Sequence, residues 1–116
     1  MVNLLGNHYL IDIEIESYDK LNSLEFIKSV CLDLVKLMKL TYLNEISHIF
    51  KPQGVSFVIL LAESHISFHS FPEYLKGTLD IYSCQQEVFD IQKIIECLKK
   101  RMKINNINYK VIPRSI

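Results

Sequence analysis

Alternating apolar and polar residues predict strands at several points along the chain. Over residues 8–16, Ile11, Ile13 and Ile15 alternate with acidic side chains, which is typical of a strand with one buried face. Further strands are predicted over residues 41–50, 55–63, 78–84 and 107–112.

Two other segments carry apolar residues at spacings of three and four. They extend from residue 24 to about residue 39 and from residue 88 to residue 102, and both predict amphipathic helices. Asn22, followed three residues later by Glu25, predicts the N-cap of the first helix.

The order of these elements indicates an α+β fold. A strand, a helix and two strands are followed by a strand, a helix and a strand, so most of the sheet is expected to be antiparallel. We predict a two-layer sandwich with both helices on one face of the sheet. Because two helices can cover only one face, the other face is expected to pack against the same face of a second protomer.

Composition excludes several classes of function. At 116 residues the chain predicts a single domain, residues 1–116. Its 13 basic and 13 acidic residues balance, so nothing favours binding to nucleic acid or to a membrane surface. The longest apolar run has six residues, far below the roughly 20 of a membrane span. Three cysteines without metal spacing argue against a disulfide framework and favour a cytoplasmic protein.

The chemistry-bearing residues concentrate in segment 62–74. It holds two histidines, three serines and two glutamates directly after the most apolar strand, a frequent arrangement in active sites. The residues alone leave three interpretations open. His65 and His69 could bind a metal with Glu63 or Glu73, although the spacing matches no template. A Ser–His hydrolase would lack a Gly-x-Ser-x-Gly turn. The third is a strand and turn whose polar groups are simply satisfied.

Four motifs carry a more specific signal. They are Pro52-Gln53-Gly54-Val55-Ser56, Glu63-Ser64-His65-Ile66-Ser67, Pro72-Glu73-Tyr74 and Asp80-Ile81-Tyr82-Ser83-Cys84. In this order, and with the opening run of residues 5–10, they resemble the small bacterial and archaeal S-adenosylmethionine decarboxylases. The resemblance covers nearly the whole chain.

The resemblance implies a proenzyme that cuts itself between Glu63 and Ser64, giving chains 1–63 and 64–116. The Ser64 hydroxyl would attack the preceding carbonyl, the resulting ester would eliminate, and Ser64 would become a pyruvoyl group. This self-generated cofactor forms a Schiff base with the substrate amine and takes up the electrons released when carbon dioxide leaves. Decarboxylated S-adenosylmethionine is the aminopropyl donor for spermidine synthesis.

The resemblance also assigns roles to three further residues in processing and turnover. Ser56 would stabilise the cyclic intermediate of cleavage, and His69 would remove the α-proton of Ser64. Cys84 would return a proton to the substrate carbon after carbon dioxide has left. No metal is implied.

Two residues are implied to bind the substrate. Phe50 would stack on adenine, and Glu73 would accept hydrogen bonds from the ribose hydroxyls. The resemblance further implies a homodimer of cleaved two-chain protomers. Each site would take Ser64 and Cys84 from one protomer, and Phe50, Ser56, His69 and Glu73 from its partner.

The chain departs from the commoner family pattern near the expected pocket. Phe71 stands where tryptophan is common, Gln85 where glycine is usual and Asn7 where arginine is usual, and residues 75–77 also differ. These departures leave open a pyruvoyl-dependent decarboxylase of ornithine or arginine. A second alternative is an uncleaved, non-enzymatic binding or regulatory homologue.

Overall fold

The computed structural model describes residues 4–116, in which six antiparallel strands form one sheet. The strands are β1 (Leu4–Ile15), β2 (Tyr42–Ile49), β3 (Val55–Leu61), β4 (Ser64–Phe71), β5 (Lys76–Ser83) and β6 (Ile104–Ser115), and the helices are α1 (Tyr18–Leu21), α2 (Leu24–Leu37) and α3 (Ile91–Arg101), with a short 3-10 turn at Pro72–Tyr74. The order of the strands across the sheet is β2-β3-β4-β5-β1-β6. The predicted α+β fold is confirmed. Within residues 4–116, no helix is long and apolar enough to cross a membrane.

The helices cover one face of the sheet, as predicted. The apolar stripe of α2 is buried at Ile27, Val30 and Leu34, and that of α3 at Ile94 and Leu98. On the sheet, every second residue of each central strand is buried against these stripes, because side chains alternate between the two faces.

The opposite face, called here the open face, is lined by the other half of the strand residues. It is mostly polar, and its central part carries His8, Leu10 and Asp12 of β1, Ser56, Val58 and Leu60 of β3, His65, Ser67 and His69 of β4, and Thr78, Asp80 and Tyr82 of β5. Leu60 is 55% exposed there. The packing of this face against a second protomer stays a prediction.

Strand β4 is the element that the predicted order lacks. Ile66 and Phe68 are buried against the helices, while His65, Ser67 and His69 lie on the open face. Buried and open-face residues therefore do alternate along this segment, but its serines and histidines made the alternation of apolar and polar residues difficult to recognise. The interpretation of this segment as strand and turn is the one that its backbone supports.

The predicted helix cap is wrong by one residue. Ser23 is the N-cap of α2, and its side chain accepts from the backbone N–H of Phe26 at 3.1 Å. Asn22 instead ends α1, and its side chain accepts from the backbone N–H of Gly54 at 3.0 Å. Helix α3 begins three residues later than predicted, with Asp90 as its N-cap.

Candidate active site

The predicted cleavage site lies in the tight connection between β3 and β4. Ser64 begins β4 and pairs in register with Ser83 at the end of β5. The chain continues from Ser83 alongside the connection, so the backbone N–H of Cys84 donates to the carbonyl oxygen of Glu63 at 3.1 Å. The carbonyl of the Glu63–Ser64 peptide bond is therefore already polarised by a fixed donor.

Ser64 and Glu63 differ in how their side chains are held. The Ser64 Oγ is buried and has no hydrogen-bond partner in the protein. The Glu63 carboxylate accepts from the backbone N–H of Thr41 at 3.0 Å and from its hydroxyl at 2.9 Å. These two hydrogen bonds lower the pKa of Glu63. The Ser64 hydroxyl is thus free to attack, while Glu63 before it is held by Thr41, the residue that precedes β2.

Cys84 is the exposed thiol of the three cysteines, all of which are free. Burial raises the pKa of Cys31 to about 12, and it also raises the pKa of Cys97. Cys31 lies in the core and Cys97 packs against it. Cys84 stands at the rim of the sheet, next to the Glu63–Ser64 bond.

A second group of predicted site residues lies at the other end of β4. Ser56 of β3 pairs in register with His69 of β4, and the Ser56 Oγ lies 2.8 Å from the His69 Nδ1. His48 of β2 pairs with Ser56 from the other side, and its ring contacts Phe50 edge-on with 4.6 Å between ring centroids.

Phe50 and Glu73 border a cavity of about 390 Å³, which Ser56, His69 and Phe71 also line. The turn after β2 shapes one wall of it. Gly54 has a φ of +106°, which favours glycine, and its carbonyl accepts from the Phe50 backbone N–H at 2.9 Å. Phe50 is 47% exposed, so its ring faces the cavity and solvent and is not packed in the core.

The seven predicted site residues therefore form two groups in one protomer. The cleavage group comprises Glu63, Ser64 and Cys84, and the cavity group comprises Phe50, Ser56, His69 and Glu73. Ser64 and His69 are five residues apart on an extended strand, about 17 Å at 3.3 Å per residue. No side chain spans that distance, so one protomer does not bring the two groups together.

The geometry disfavours the metal interpretation. His65 and His69 lie on the same face of β4 but four residues apart, about 13 Å. Ligands of one ion lie within a few ångströms of each other, because zinc–nitrogen bonds are only about 2 Å long. Among residues 4–116, no group of three His, Cys, Asp or Glu side chains is arranged to hold a metal ion.

Sequence reasoning missed a cluster of aromatic and basic side chains beside the cleavage group. The Tyr82 ring lies 4.4 Å from that of His8 and 6.0 Å from that of His65, and the Arg114 guanidinium lies 6.0 Å from it. Burial, followed by Arg114 and His65, lowers the pKa of His8. Thr41 was missed as well. No local pattern signals these contacts, because strand pairing alone creates them.

Comparison with known proteins extends this picture to the whole chain. The sequence profile of a family described as S-adenosylmethionine decarboxylase matches residues 7–115. The chain is 34% identical to the S-adenosylmethionine decarboxylase proenzyme of a Sulfurihydrogenibium species, over 100% of this chain and 86% of that protein. It is 35% identical to the proenzyme of the same name from Persephonella marina, over 98% and 85%.

A solved structure gives the same result for the fold. The crystal structure of the adenosylmethionine decarboxylase from Aquifex aeolicus superposes with a TM-score of 0.81 at 31% identity. The match covers 98% of this chain and 93% of that one. The likeness therefore extends over the complete sheet and its helices.

Proposed function

The chain belongs to the S-adenosylmethionine decarboxylase family, and on this premise we propose how its own residues perform the reaction. It is a pyruvoyl-dependent decarboxylase whose substrate is S-adenosylmethionine and whose product serves polyamine biosynthesis. The family and the relatives named above favour this substrate over ornithine or arginine. The observation that carries the processing mechanism is the contact between the Cys84 N–H and the Glu63 carbonyl.

Self-cleavage begins when the Ser64 Oγ attacks the carbonyl carbon of Glu63. The developing oxyanion stays hydrogen-bonded to the Cys84 N–H, and removing one such donor typically slows acyl transfer about 10²–10³-fold. The acyl group moves from the nitrogen to the oxygen of Ser64, which leaves an ester. Loss of the Ser64 α-proton then expels Glu63 as the carboxylate end of chain 1–63.

Ser64 is well suited to become the pyruvoyl group. Its hydroxyl has no protein partner that would compete with the attack, and it begins a strand at the sheet rim. When formed, the pyruvoyl carbonyl supplies the electron sink for decarboxylation. The exposed Cys84 thiol beside it is the proposed proton donor to the substrate carbon.

His69 is the proposed base for the α-proton, and because its Nδ1 contacts the Ser56 Oγ, its Nε2 is the atom left for this role. A neutral imidazole has one N–H and one free lone pair. If the His69 Nδ1–H donates to the Ser56 Oγ, the Nε2 lone pair is free to take a proton. The Ser56 hydroxyl can then donate its own proton to the oxyanion of the cleavage intermediate.

The separation of the two groups supports a site shared between two protomers. We propose that Ser64 and Cys84 of one protomer meet Phe50, Ser56, His69 and Glu73 of its partner. The open faces pack together, and the partner reaches Ser64, whose side chain points to the helix-covered side in the uncut chain, at the rim of the sheet where β4 begins. The roughly 17 Å between Ser64 and His69 along β4 keeps one protomer from completing a site. A C2 dimer supplies both groups twice, and hence two sites.

Phe50 and Glu73 are the proposed substrate contacts. Phe50 offers an exposed flat ring to adenine, and the Glu73 carboxylate can accept hydrogen bonds from both ribose hydroxyls. A cytoplasmic location is proposed as well, since all three cysteines, which lie in the described part of the chain, are free thiols.

Replacement of Phe50 tests the substrate assignment. Processed wild-type enzyme should release carbon dioxide from S-adenosylmethionine far faster than from ornithine or arginine. Phe50→Ala should reduce kcat/KM for S-adenosylmethionine about 5- to 150-fold, because stacking of a base on an aromatic ring is worth about 1–3 kcal/mol. Tyr109→Ala removes an exposed ring from β6, away from the cavity, and should leave kcat/KM unchanged. Faster release from ornithine or arginine would make the substrate assignment wrong.

Replacement of Cys84 separates processing from turnover. Cys84→Ala keeps the backbone N–H that holds the Glu63 carbonyl, so the chain should still cleave. Turnover should fall about 10²–10⁴-fold, the usual contribution of a general acid. Gel mobility and carbon dioxide release measure the two steps, with Cys97→Ala as the matched control. Near-normal turnover would reduce Cys84 to a packing residue, and loss of cleavage would place its thiol in processing.

A further inference from the structure

Three polar side chains form a row across three neighbouring strands. Asn7 of β1 pairs in register with Ser83 of β5, and Ser83 pairs with Ser64 of β4. All three alternate with core residues of their strands, so they lie on the helix-covered face. This set, Asn7, Ser83 and Ser64, is called the polar row.

The two ends of the row are buried and unsatisfied. Asn7 is 1% exposed, and neither its Nδ2 nor its Oδ1 has a hydrogen-bond partner in the protein. The Ser64 Oγ at the other end is also buried without one. In the middle, the Ser83 Oγ accepts from the Gln85 backbone N–H at 3.2 Å. Buried polar groups without a protein partner are usually satisfied by ordered water.

The spacing of the strands suits a bridging water. Neighbouring strands lie about 4.8 Å apart, so the Cα atoms of Asn7 and Ser64 are separated by about 10 Å. Two short side chains cannot close that gap by themselves. A buried water requires two to four polar partners. In the uncut chain the Asn7 amide, the second lone pair of Ser83 and the Ser64 hydroxyl supply them. After the Ser64 oxygen has left with Glu63, the Asn7 amide and the Ser83 hydroxyl remain as the two partners.

We propose that the polar row binds the water that completes maturation, and that Asn7 is its positioning residue. The proposal rests on the self-cleavage described above. After Glu63 has left, residue 64 carries a Cα=Cβ double bond and an amino nitrogen. A proton shift to Cβ gives an imine. The oxygen of the row's water then bonds to Cα while a water proton moves to the nitrogen. The C–N bond breaks, ammonia leaves with the remaining hydroxyl proton, and the pyruvoyl carbonyl is left.

An asparagine suits this position chemically. Its amide offers a donor and an acceptor together, so it can fix the orientation of a water molecule. It does not titrate, so it holds the water at any pH at which the chain folds. Removing Asn7 is therefore expected to spare the cut itself and to delay the hydrolysis that follows.

The test compares two Asn7 variants during maturation of the full chain. Samples are quenched at intervals with borohydride, which converts a pyruvoyl end to a blocked lactoyl end and a trapped imine to alanine with a free amine. Mass spectrometry and amino-terminal sequencing distinguish the two. Asn7→Leu, which fills the site with an apolar chain, should raise the alanine-ended fraction several-fold above that of wild type. Asn7→Ala leaves room for a second water and should give a smaller rise.

A larger alanine-ended fraction in Asn7→Leu than in Asn7→Ala excludes a merely structural role. If Asn7 only supported the fold, the cavity left by Asn7→Ala would be the more harmful change. Tyr9→Phe is the matched control, since it removes one hydrogen bond of a buried side chain two residues along the same face of β1 and should give no rise. If Asn7→Leu fails to fold, the comparison of the alanine-ended fraction between Asn7→Ala and wild type decides whether the proposal stands. A fully blocked second chain in both Asn7 variants, at the wild-type rate, would overturn the proposal. A wild-type chain that stays whole would instead overturn self-cleavage.

Discussion

Ser64→Ala should leave the chain uncut at 13.6 kDa and abolish decarboxylation, because a methyl group cannot attack the Glu63 carbonyl. The rest of the site is expected to stay in place. The Cys84 N–H still holds that carbonyl, and Thr41 still anchors the Glu63 carboxylate. Intact-mass spectrometry after prolonged incubation gives the answer directly. Wild type should instead show two chains, the second without a free amino terminus.

Ser67→Ala is the matched control for this experiment. It removes a serine from the same strand, three residues further on, where the side chain lies on the open face. Cleavage at the wild-type rate is expected. Two chains from Ser64→Ala would contradict the assignment of the nucleophile. A wild-type chain that stays intact would favour the uncleaved regulatory homologue.

Co-expressed Ser64→Ala and His69→Ala chains should recover cleavage that neither variant shows alone. In a mixed dimer, one site combines the intact Ser64 of one protomer with the intact His69 of its partner. With equal expression and random pairing, about half of the His69→Ala chains then lie in mixed dimers and are cut. Fragments carrying the alanine at residue 69 identify the rescued chains by mass.

Two controls make this result specific. Co-expression of His69→Ala with Ser56→Ala places both changes in the cavity group, so no site is intact and no comparable rescue should follow. Chains mixed after separate folding should recover only as fast as protomers exchange. Absence of rescue in the co-expressed pair would contradict a shared site and require one protomer to bring Ser64 and His69 together.

Local patterns predicted the helices and most strands because each is visible within a few residues. The apolar residues from Leu24 onward recur with the helical period, and this local pattern alone is enough to predict a helix. In the structure, α2 ends within two residues of the predicted end. The cap was wrong because Asn22 and Ser23 are both good capping residues and only the backbone decides between them. Strand β4 was obscured because its open-face residues are polar and its core residues few.

The site residues were predictable only where they lie close together in the sequence. The motif around Ser64 and the residues assigned by resemblance are contiguous or nearly so. Thr41 and Asn7 are different, because each meets the cleavage group through strand pairing. Pairing register depends on the whole hydrophobic pattern and on turn geometry, which a linear reading does not resolve. The spacing between Ser64 and His69 likewise shows that one protomer does not complete the site only because residues 64–71 form an extended strand.

The sheet order has a consequence for the cut protein. Chain 1–63 would contribute β1, β2 and β3, and chain 64–116 would contribute β4, β5 and β6. In space β1 lies between β5 and β6, so each fragment is threaded through the other. The two fragments cannot dissociate as rigid subunits, because β1 would have to lose its hydrogen bonds to both neighbouring strands. Refolding after dissociation would require the association of two short chains, one of them with a blocked amino terminus. Maturation therefore replaces the folding of one chain by the assembly of two, so that the lifetime of the mature protein depends on its rate of unfolding.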